Sequence, residues 1–191
     1  MIRSKKDYLD YLEADRKALS KKRTKPRLFG DEIWKYERLL RKLEYYRNCK
    51  RSLLHRSYAL FLHWRFHALS IRNGFTIPCN VFGPGLSIAH IGTIVVHSGV
   101  RVGANCRIHV CVNIGAKAGK AEETPVIGND VYIGPGAKIF GGIQITDGIA
   151  IGANSVVNMS FLEPNISIAG VPARKISNAG SRAILSIEKA D

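Results

Sequence analysis

The spacing of apolar residues divides the chain into two regions with different periods. Between residues 31 and 72 apolar side chains recur every three or four positions, which is the period of an amphipathic helix. They are Ile33, Tyr36, Leu40, Leu43, Leu53, Leu54, Ala59 and Phe61. Asp31 stands where a helix cap is expected, and residues 6–20 show a weaker helical pattern. Because Asn73-Gly74 favours a turn, we predict a small α-helical domain over residues 1–74.

A six-residue period replaces the helical one after Gly74. Every sixth position is aliphatic or aromatic, with one cysteine as the exception, in two runs separated by a break after Val112. The positions are Phe82, Ile88, Ile94, Val100, Cys106, Val112, Ile127, Ile133, Ile139, Ile145, Ile151 and Val157. Such a repeat indicates a solenoid, in which each unit buries its apolar residue against its neighbours. We therefore predict a solenoid over residues 75–177, an extruded loop over 113–126 and a C-terminal tail over 178–191.

The period also predicts which side chains meet. Six residues form one side of a triangular coil, so side chains eighteen apart should stack, as Ile88 on Cys106 and Ile133 on Ile151. A second column, two positions after each repeat start, is expected to face outward. It consists of His90, Val96, Val102, Ile108 and Ile114. An apolar column outside a coil needs a cover, so we expect either a contact between subunits or the helical domain to lie on it.

The helical region carries most of the positive charge of the chain. The chain of 191 residues has a net charge of +14, and residues 1–75 hold 20 of its 29 Lys and Arg but only 8 of its 15 Asp and Glu. This excess is expected either on solvated helix faces or against a polyanionic partner. No signal-peptide pattern is visible, and the four cysteines have neither zinc-finger spacing nor a disulfide framework. We expect a reduced cytoplasmic protein without a metal.

Several segments of the solenoid resemble a known family. AHIGTIVV, VIGNDVYIGPGAKIFGG, IGANSVV and AGVPARKI are similar to the hexapeptide-repeat acyltransferases, and within them to the serine acetyltransferases. The resemblance covers about residues 73–177. It implies a mainly β fold with an α N-terminal region, namely a left-handed parallel β-helix preceded by a small helical domain. It also implies transfer of an acetyl group from acetyl-CoA at active sites between the subunits of a homotrimer.

The resemblance assigns a catalytic role to one histidine. O-acetylation needs a base for the acceptor hydroxyl and then an acid for the departing thiolate, and one imidazole can serve as both. His90 matches the catalytic base of the family; otherwise it is a structural histidine. His109, nineteen residues further on, is expected either to line the same groove on the acceptor side or to lie at a solvated corner. His97 is expected on the surface or at an interface.

The resemblance also assigns residues to the cofactor. Small residues in the coils and the loop should lie along the pantetheine arm, and basic residues near the C-terminal end should meet a phosphate of CoA. These residues are Gly115, Ala116, Gly134, Pro135, Gly152, Ala153, Arg174 and Lys175. Lys117 and Lys120 in the loop are either further phosphate contacts or solvated.

Two departures from the family concern the acceptor. Phe75 stands where serine acetyltransferases have an aspartate, and Thr124 stands where they have a histidine. Because an aromatic ring suits a sugar, Phe75 and Thr124 lead us to expect a carbohydrate acceptor, from capsule, exopolysaccharide or lipopolysaccharide biosynthesis. L-serine and a non-catalytic scaffold are the alternatives. The basic helices are expected to touch the anionic inner face of a membrane, and no nucleic-acid partner is expected.

Overall fold

Helices precede and follow the solenoid in the computed structural model, which describes residues 1–187. They are α1 (Lys5–Ala18), α2 (Glu32–Cys49), α3 (Leu53–Asn73) and the short α4 (Arg182–Ile187). Ser4 and Ser52 cap α1 and α3 through their hydroxyls. Asp31 occupies the N-cap position of α2, as predicted, but its carboxylate makes no capping hydrogen bond and accepts from the Lys21 ammonium at 2.7 Å instead. The last four residues of the predicted tail lie outside the described residues.

Fourteen short strands wind into a β-helix with three sides. They are β1 (Phe75–Thr76), β2 (Ser87–Ile88), β3 (Ile94–Val96), β4 (Arg101–Val102), β5 (Arg107–Ile108), β6 (Val112–Gly115), β7 (Val126–Ile127), β8 (Tyr132–Ile133), β9 (Lys138–Phe140), β10 (Gln144–Ile145), β11 (Ala150–Ile151), β12 (Val156–Val157), β13 (Ser167–Gly170) and β14 (Ala173–Ser177). The first sheet has the order β1-β3-β6-β9-β12, the second β4-β7-β10 and the third β2-β5-β8-β11-β13-β14. All pairs are parallel except β13 with β14. The predicted solenoid after a helical region is confirmed.

The interior of the β-helix holds two apolar columns rather than one. Val96, Val102, Ile108 and Ile114, predicted to face outward, are all buried in the core. They point inward together with Ile94 and its equivalents, because residues two apart in a strand share a face. The prediction of an outer apolar column is therefore wrong, and the expectation of a cover over it loses its basis.

The stacking of coils departs from the predicted register at the start of the solenoid. Ile133 pairs with Ile151 as predicted, but Ile88 pairs with Ile108 and not with Cys106. The cause is the corner between β2 and β3, which spans residues 89–93, whereas the next coil uses only residues 109–111 between β5 and β6. Two extra residues thus widen this corner, and His90 lies in it.

Buried charges on α1 and α2 close the N-terminal end of the β-helix. Parallel strands need partners along the helix axis, and the first coil has no preceding coil to supply them. Asp15 accepts from the backbone N–H of Gly85 and of Leu86 at 2.8 and 2.9 Å, and Glu37 accepts from the N–H of Ile88 at 3.0 Å. The helical domain and the solenoid therefore share one hydrogen-bonded core.

Arg41 completes this end network. Its guanidinium donates to Asp15 at 2.8 Å and to Glu44 at 3.1 Å, and it also donates to the backbone carbonyls of Phe82 and Gly83. Arg41, Asp15, Glu37 and Glu44 are all buried. Burial, with the charge of Asp15, raises the pKa of the Glu37 carboxyl well above its ordinary value. This network of four ionisable side chains thus supplies the backbone of the first coil with hydrogen-bond partners that a preceding coil would otherwise provide.

The extruded loop is shorter than predicted. Residues 113–115 remain in β6, where they pair with residues 138–140, and Val126 already belongs to β7. Only residues 116–125 leave the coil. The loop folds back on itself, because Lys117 and Lys120 both place their ammonium groups against the carboxylate of Glu123. Within residues 1–187, no helix is both long and apolar enough to cross a membrane.

Candidate active site

The corners between the third and first sheets stack into one edge, which we call the His90 edge. It consists of residues 89–93, 109–111, 134–137 and 152–155. Ile88, Ile108, Ile133 and Ile151 are in register, so the corners that follow them are aligned along the axis of the β-helix. In the wider first corner it is Gly92 that lies against Val110, and His90 belongs to the part with the two extra residues. The predicted base therefore lies on the same edge as Gly134, Pro135, Gly152 and Ala153, in an earlier coil.

Three rings lie together on this side of the first coils. His90 is exposed, and its ring centroid is 6.2 Å from that of His109, which in turn is 5.0 Å from the ring of Tyr132. Burial, together with the charge of Arg107, lowers the pKa of His109 to about 4. His109 is therefore neutral at neutral pH and adds no positive charge beside His90.

The lowered pKa of His109 predicts a pH-dependent stability. The unfolded chain takes up the proton near the ordinary pKa of 6.5, whereas the folded chain does so only near 4. Stability from this group is therefore present above pH 6.5 and lost as the pH falls towards 4. We expect the melting temperature to drop less between pH 7 and pH 5 in His109→Gln than in the wild type. Parallel curves for the two proteins would contradict this assignment.

A cleft of about 530 Å³ opens between the helical region and the His90 edge. Ala89 and Ile91, the neighbours of His90, lie in its wall. The opposite side carries charge, since Lys21 and Asp31 line the cleft as an ion pair of 2.7 Å. Arg107 also lines it, with its guanidinium donating to the hydroxyl of Ser87 at 2.8 Å. The cleft therefore offers both charges to a ligand beside His90.

Sequence reasoning missed Lys21, Asp31 and Arg107 as site residues. Lys21 belongs to a basic run, and Asp31 was assigned to a helix cap. The two are separated from Arg107 by more than seventy positions in the chain. No local pattern links them, so only the packing of the helices on the first coils shows the cleft.

The glycines of the His90 edge have a structural reason of their own. A Cβ atom at Gly134 would lie 2.7 Å from the carbonyl oxygen of Ile151, and one at Gly152 would lie 2.8 Å from the Cβ of Ala169. The stacking of coils thus requires both glycines, whether or not a cofactor lies beside them. Gly115 differs, because a Cβ atom there would meet nothing nearer than Asn113 Oδ1 at 3.5 Å.

Other predicted residues lie on a second edge, between the first and second sheets, which we call the loop edge. It consists of residues 97–100, 116–125, 141–143 and 158–160. It includes Ala116 and Thr124, and Gly115 directly precedes it. The Thr124 side chain packs against Gly99, whose N–H donates to His97 Nδ1 at 3.1 Å. Within one chain the first sheet thus separates Gly115, Ala116 and Thr124 from His90.

The predicted phosphate contacts lie at the far end of the third sheet. Arg174 is exposed on β14, where its guanidinium donates to the backbone oxygen of Ala173 and to the sulfur of Met159. Lys175 is paired with Glu163 at 2.5 Å, so its charge is already compensated. Five strand spacings of about 4.8 Å, or roughly 24 Å, separate β2 from β14. An extended ligand that touches both His90 and Arg174 must follow the length of the β-helix.

Phe75 does not lie where an acceptor would reach it. Its side chain is 2% exposed, and its ring contacts that of Tyr36 edge to face, with centroids 4.9 Å apart. Phe75 also pairs with Ile94 in the first sheet. The prediction that this ring stacks on a sugar is therefore wrong, because the junction of the helices and the first coil buries it.

A helix-capped β-helix of hexapeptide repeats, with an exposed histidine on an edge of small residues, resembles the hexapeptide-repeat acyltransferases. Among proteins of known sequence, the chain is similar to serine acetyltransferases. That of Salmonella typhimurium is 37% identical over 106 residues, which cover 54% of this chain and 38% of that protein. That of Buchnera aphidicola from Schizaphis graminum is 33% identical over 107 residues, which cover 53% of this chain and 41% of that protein. The chain therefore spans less than half of these relatives. No family model matches it.

Solved structures extend the likeness over nearly the whole chain. The serine acetyltransferase of Neisseria gonorrhoeae covers 96% of this chain and 72% of its own, with a TM-score of 0.72 and 25% identity. The Brucella abortus enzyme in complex with coenzyme A has a TM-score of 0.70 and 27% identity, and the match covers 92% of this chain and 70% of that one. The soybean enzyme complexed with serine has a TM-score of 0.71 and 27% identity, and the match covers 90% of this chain and 70% of that one. These comparisons confirm the expected resemblance and the left-handed β-helix with its helical N-terminal region.

Proposed function

We propose that the protein is an O-acetyltransferase that uses acetyl-CoA, with His90 as its general base. The observation that carries the proposal is the placement of His90, exposed on an edge it shares with Gly134, Pro135, Gly152 and Ala153. The relatives and structural neighbours named serine acetyltransferases support it, and one of these neighbours is a complex with coenzyme A. No metal enters the proposal: among residues 1–187, no three or more His, Cys, Asp or Glu side chains form a group that fits a metal ion.

In the proposed reaction His90 moves one proton twice. The imidazole first takes the proton of the acceptor hydroxyl as its oxygen attacks the thioester carbonyl of acetyl-CoA. The tetrahedral intermediate then collapses, the carbon–sulfur bond breaks, and the imidazolium returns the proton to the thiolate of CoA. The products are the acetyl ester and free CoA. Neutral His109 favours the first step, because it leaves the environment of His90 without a second imidazolium.

We infer that the site is completed by a second copy of the chain in a homotrimer. His90 lies at one border of the first sheet, whereas Gly115, Ala116 and Thr124 lie at the other. They meet only if the loop edge of one copy faces the His90 edge of the next. Light scattering after gel filtration should then give three times the chain mass. Co-expression of His90→Ala with Gly115→Val should restore part of the activity, because mixed trimers contain intact sites.

The proposed trimer makes Gly115 a contact of the pantetheine arm. There is room for a methyl group at Gly115 in the chain itself, so Gly115→Ala should keep the wild-type melting temperature. It should raise the Kd for CoA about tenfold, because the added methyl fills the space where the backbone meets the cofactor. Titration calorimetry with CoA measures this. Gly152→Ala is the contrast, since its methyl would overlap with Ala169 and lower the melting temperature. Unchanged CoA affinity in Gly115→Ala would place the cofactor elsewhere.

L-serine is the acceptor that the comparisons favour. Serine acetyltransferases are the relatives, and the soybean neighbour is a complex with serine. The cleft beside His90 is lined by Arg107, whose guanidinium suits the carboxylate of an amino acid, and by the ion pair of Lys21 with Asp31. A carbohydrate hydroxyl, in polysaccharide biosynthesis, is the second candidate. It is favoured by Thr124, which stands in place of a histidine of the family. Phe75 does not favour it, because the Phe75 ring is buried.

One assay separates these acceptors. Release of CoA from acetyl-CoA is followed with L-serine, with L-alanine as the matched control without a hydroxyl, and with a panel of sugars and glycans. We expect turnover with L-serine and none with L-alanine. Turnover with a glycan alone would establish the second candidate. Absence of both turnover and CoA binding would overturn the proposed activity and support a scaffold.

A further inference from the structure

The outward side of α3 is apolar and is covered by nothing in the described chain. Leu53, Leu60, Trp64 and Ile71 are 79%, 71%, 66% and 70% exposed. Their spacings of seven, four and seven residues place them on one side of an α-helix. The opposite side holds Leu62 and Phe66, which are buried in the core. Since α3 packs through its inner side, packing within the chain does not account for this outer stripe.

The charge around the stripe has one sign. Residues 50–75 contain five basic residues and no Asp or Glu. They are Lys50, Arg51, Arg56, Arg65 and Arg72. Arg56, Arg65 and Arg72 are exposed on α3 itself. An apolar stripe of Leu, Ile and Trp flanked by arginines is the composition of a helix that lies in the interface of a membrane.

A second apolar segment lies beside the same surface. Leu28 and Phe29, between α1 and α2, are 84% and 85% exposed. The Lys35 ammonium donates to the carbonyl of Leu28 at 2.7 Å, and Lys35 also lines a cleft of about 340 Å³ with Trp64. Lys35 therefore lies between this segment and the stripe on α3.

The charges decide between possible occupants. A second copy of α3 would bring its three arginines against three more without an acidic partner, which opposes association. A nucleic acid would match the charge but would leave the apolar stripe without a partner. We propose that the outer face of α3, together with Leu28 and Phe29, binds the surface of a bilayer containing anionic phospholipid. Leu60, Trp64 and Ile71 enter the interface, and Arg56, Arg65 and Arg72 meet lipid phosphates.

Vesicle sedimentation tests this proposal with the full chain. We expect the protein to sediment with vesicles of mixed phosphatidylcholine and phosphatidylglycerol but not with phosphatidylcholine alone, and added salt to weaken the binding. The emission of Trp64 should shift to shorter wavelength on binding, and the second tryptophan, Trp34, is buried and should not respond. Binding that ignores lipid charge would overturn the proposal.

Variants identify the surface. Arg56→Gln/Arg65→Gln/Arg72→Gln should lower the partition coefficient about 100-fold, at about fivefold for each charge. Leu60→Ser/Trp64→Ser should lower it by at least tenfold. Leu162→Ser/Ile176→Ser is the matched control, because both residues are similarly exposed but lie on the solenoid. Equal losses in the control, or a change of oligomeric mass in the α3 variants, would overturn the proposal. Acetyl transfer to a soluble acceptor should persist in all variants, so failure here leaves the proposed function standing.

Discussion

Replacing His90 with alanine is expected to lower kcat by about 10²–10⁴-fold, which is the range for removal of a general acid–base group. His90 is exposed, and none of its side-chain atoms takes part in a hydrogen bond found in the described chain. The variant should therefore keep the melting temperature and the CoA affinity of the wild type. Initial rates with saturating acetyl-CoA and the acceptor measure kcat, and calorimetry measures the binding of CoA.

A second variant of His90 and a second histidine test the same role. If His90 is the base, a conservative variant that keeps an amide but no base, His90→Asn, should lose about as much activity as His90→Ala. His67→Ala is the matched control, because His67 is an exposed histidine on α3, away from the His90 edge. It should keep full activity. A wild-type rate in His90→Ala would mean that another group is the base.

Replacing Asp15 with alanine is expected to lower the free energy of unfolding by about 3–5 kcal/mol, as when one partner of a buried ion pair is removed. The change leaves the guanidinium of Arg41 without its 2.8 Å partner and two backbone N–H groups, of Gly85 and Leu86, without acceptors. Each of these groups is buried, so water cannot replace the lost bonds. Chemical denaturation followed by circular dichroism measures the loss.

Glu13 provides the comparison on the same helix. It pairs with Arg16 at 2.7 Å, but its side chain is 49% exposed, so solvent screens the pair. Glu13→Ala should leave the denaturation midpoint nearly unchanged. If Asp15→Ala also leaves the denaturation midpoint unchanged, the end network does not stabilise the first coil.

Because the wall of the cleft includes Ala89 and Ile91, Asp15→Ala should also raise KM for the acceptor by loosening the coil that carries His90.

The periodicity of the sequence predicts the architecture well and the register less well. The six-residue repeat gives the β-helix, and the helical spacing before Gly74 gives the helical region. The repeat alone does not show that the corner at His90 holds two extra residues, because Cys106 and Ile108 are both apolar and either could stack on Ile88. Hydrogen bonding between coils resolves this ambiguity, because Ile88 pairs with Ile108 whereas Ile94 pairs with Val112.

The residues of the candidate site also divide into those that local motifs predict and those that only the packing of distant segments reveals. His90 and the small residues of its edge follow from local motifs, because a hexapeptide places equivalent residues at equivalent corners. Phe75 is apolar in a region where either a core or a ligand platform accounts for an aromatic ring, and only its contact with Tyr36 distinguishes them. Arg107 and Lys21 are ordinary basic residues in the sequence, and they become part of a cleft only when the helices pack on the first coils.

Local spacing in the sequence predicts the two regions, the solenoid, the family that the chain resembles and the histidine that we propose as the base. These properties depend on spacing within a few residues, so they can be read along the chain. The tertiary structure alone decided the register at the His90 corner, the burial of Phe75, the charged cleft, the end network around Arg41 and the uncovered face of α3. Each of these depends on which surfaces meet between segments far apart in sequence, and local spacing carries no information about such contacts.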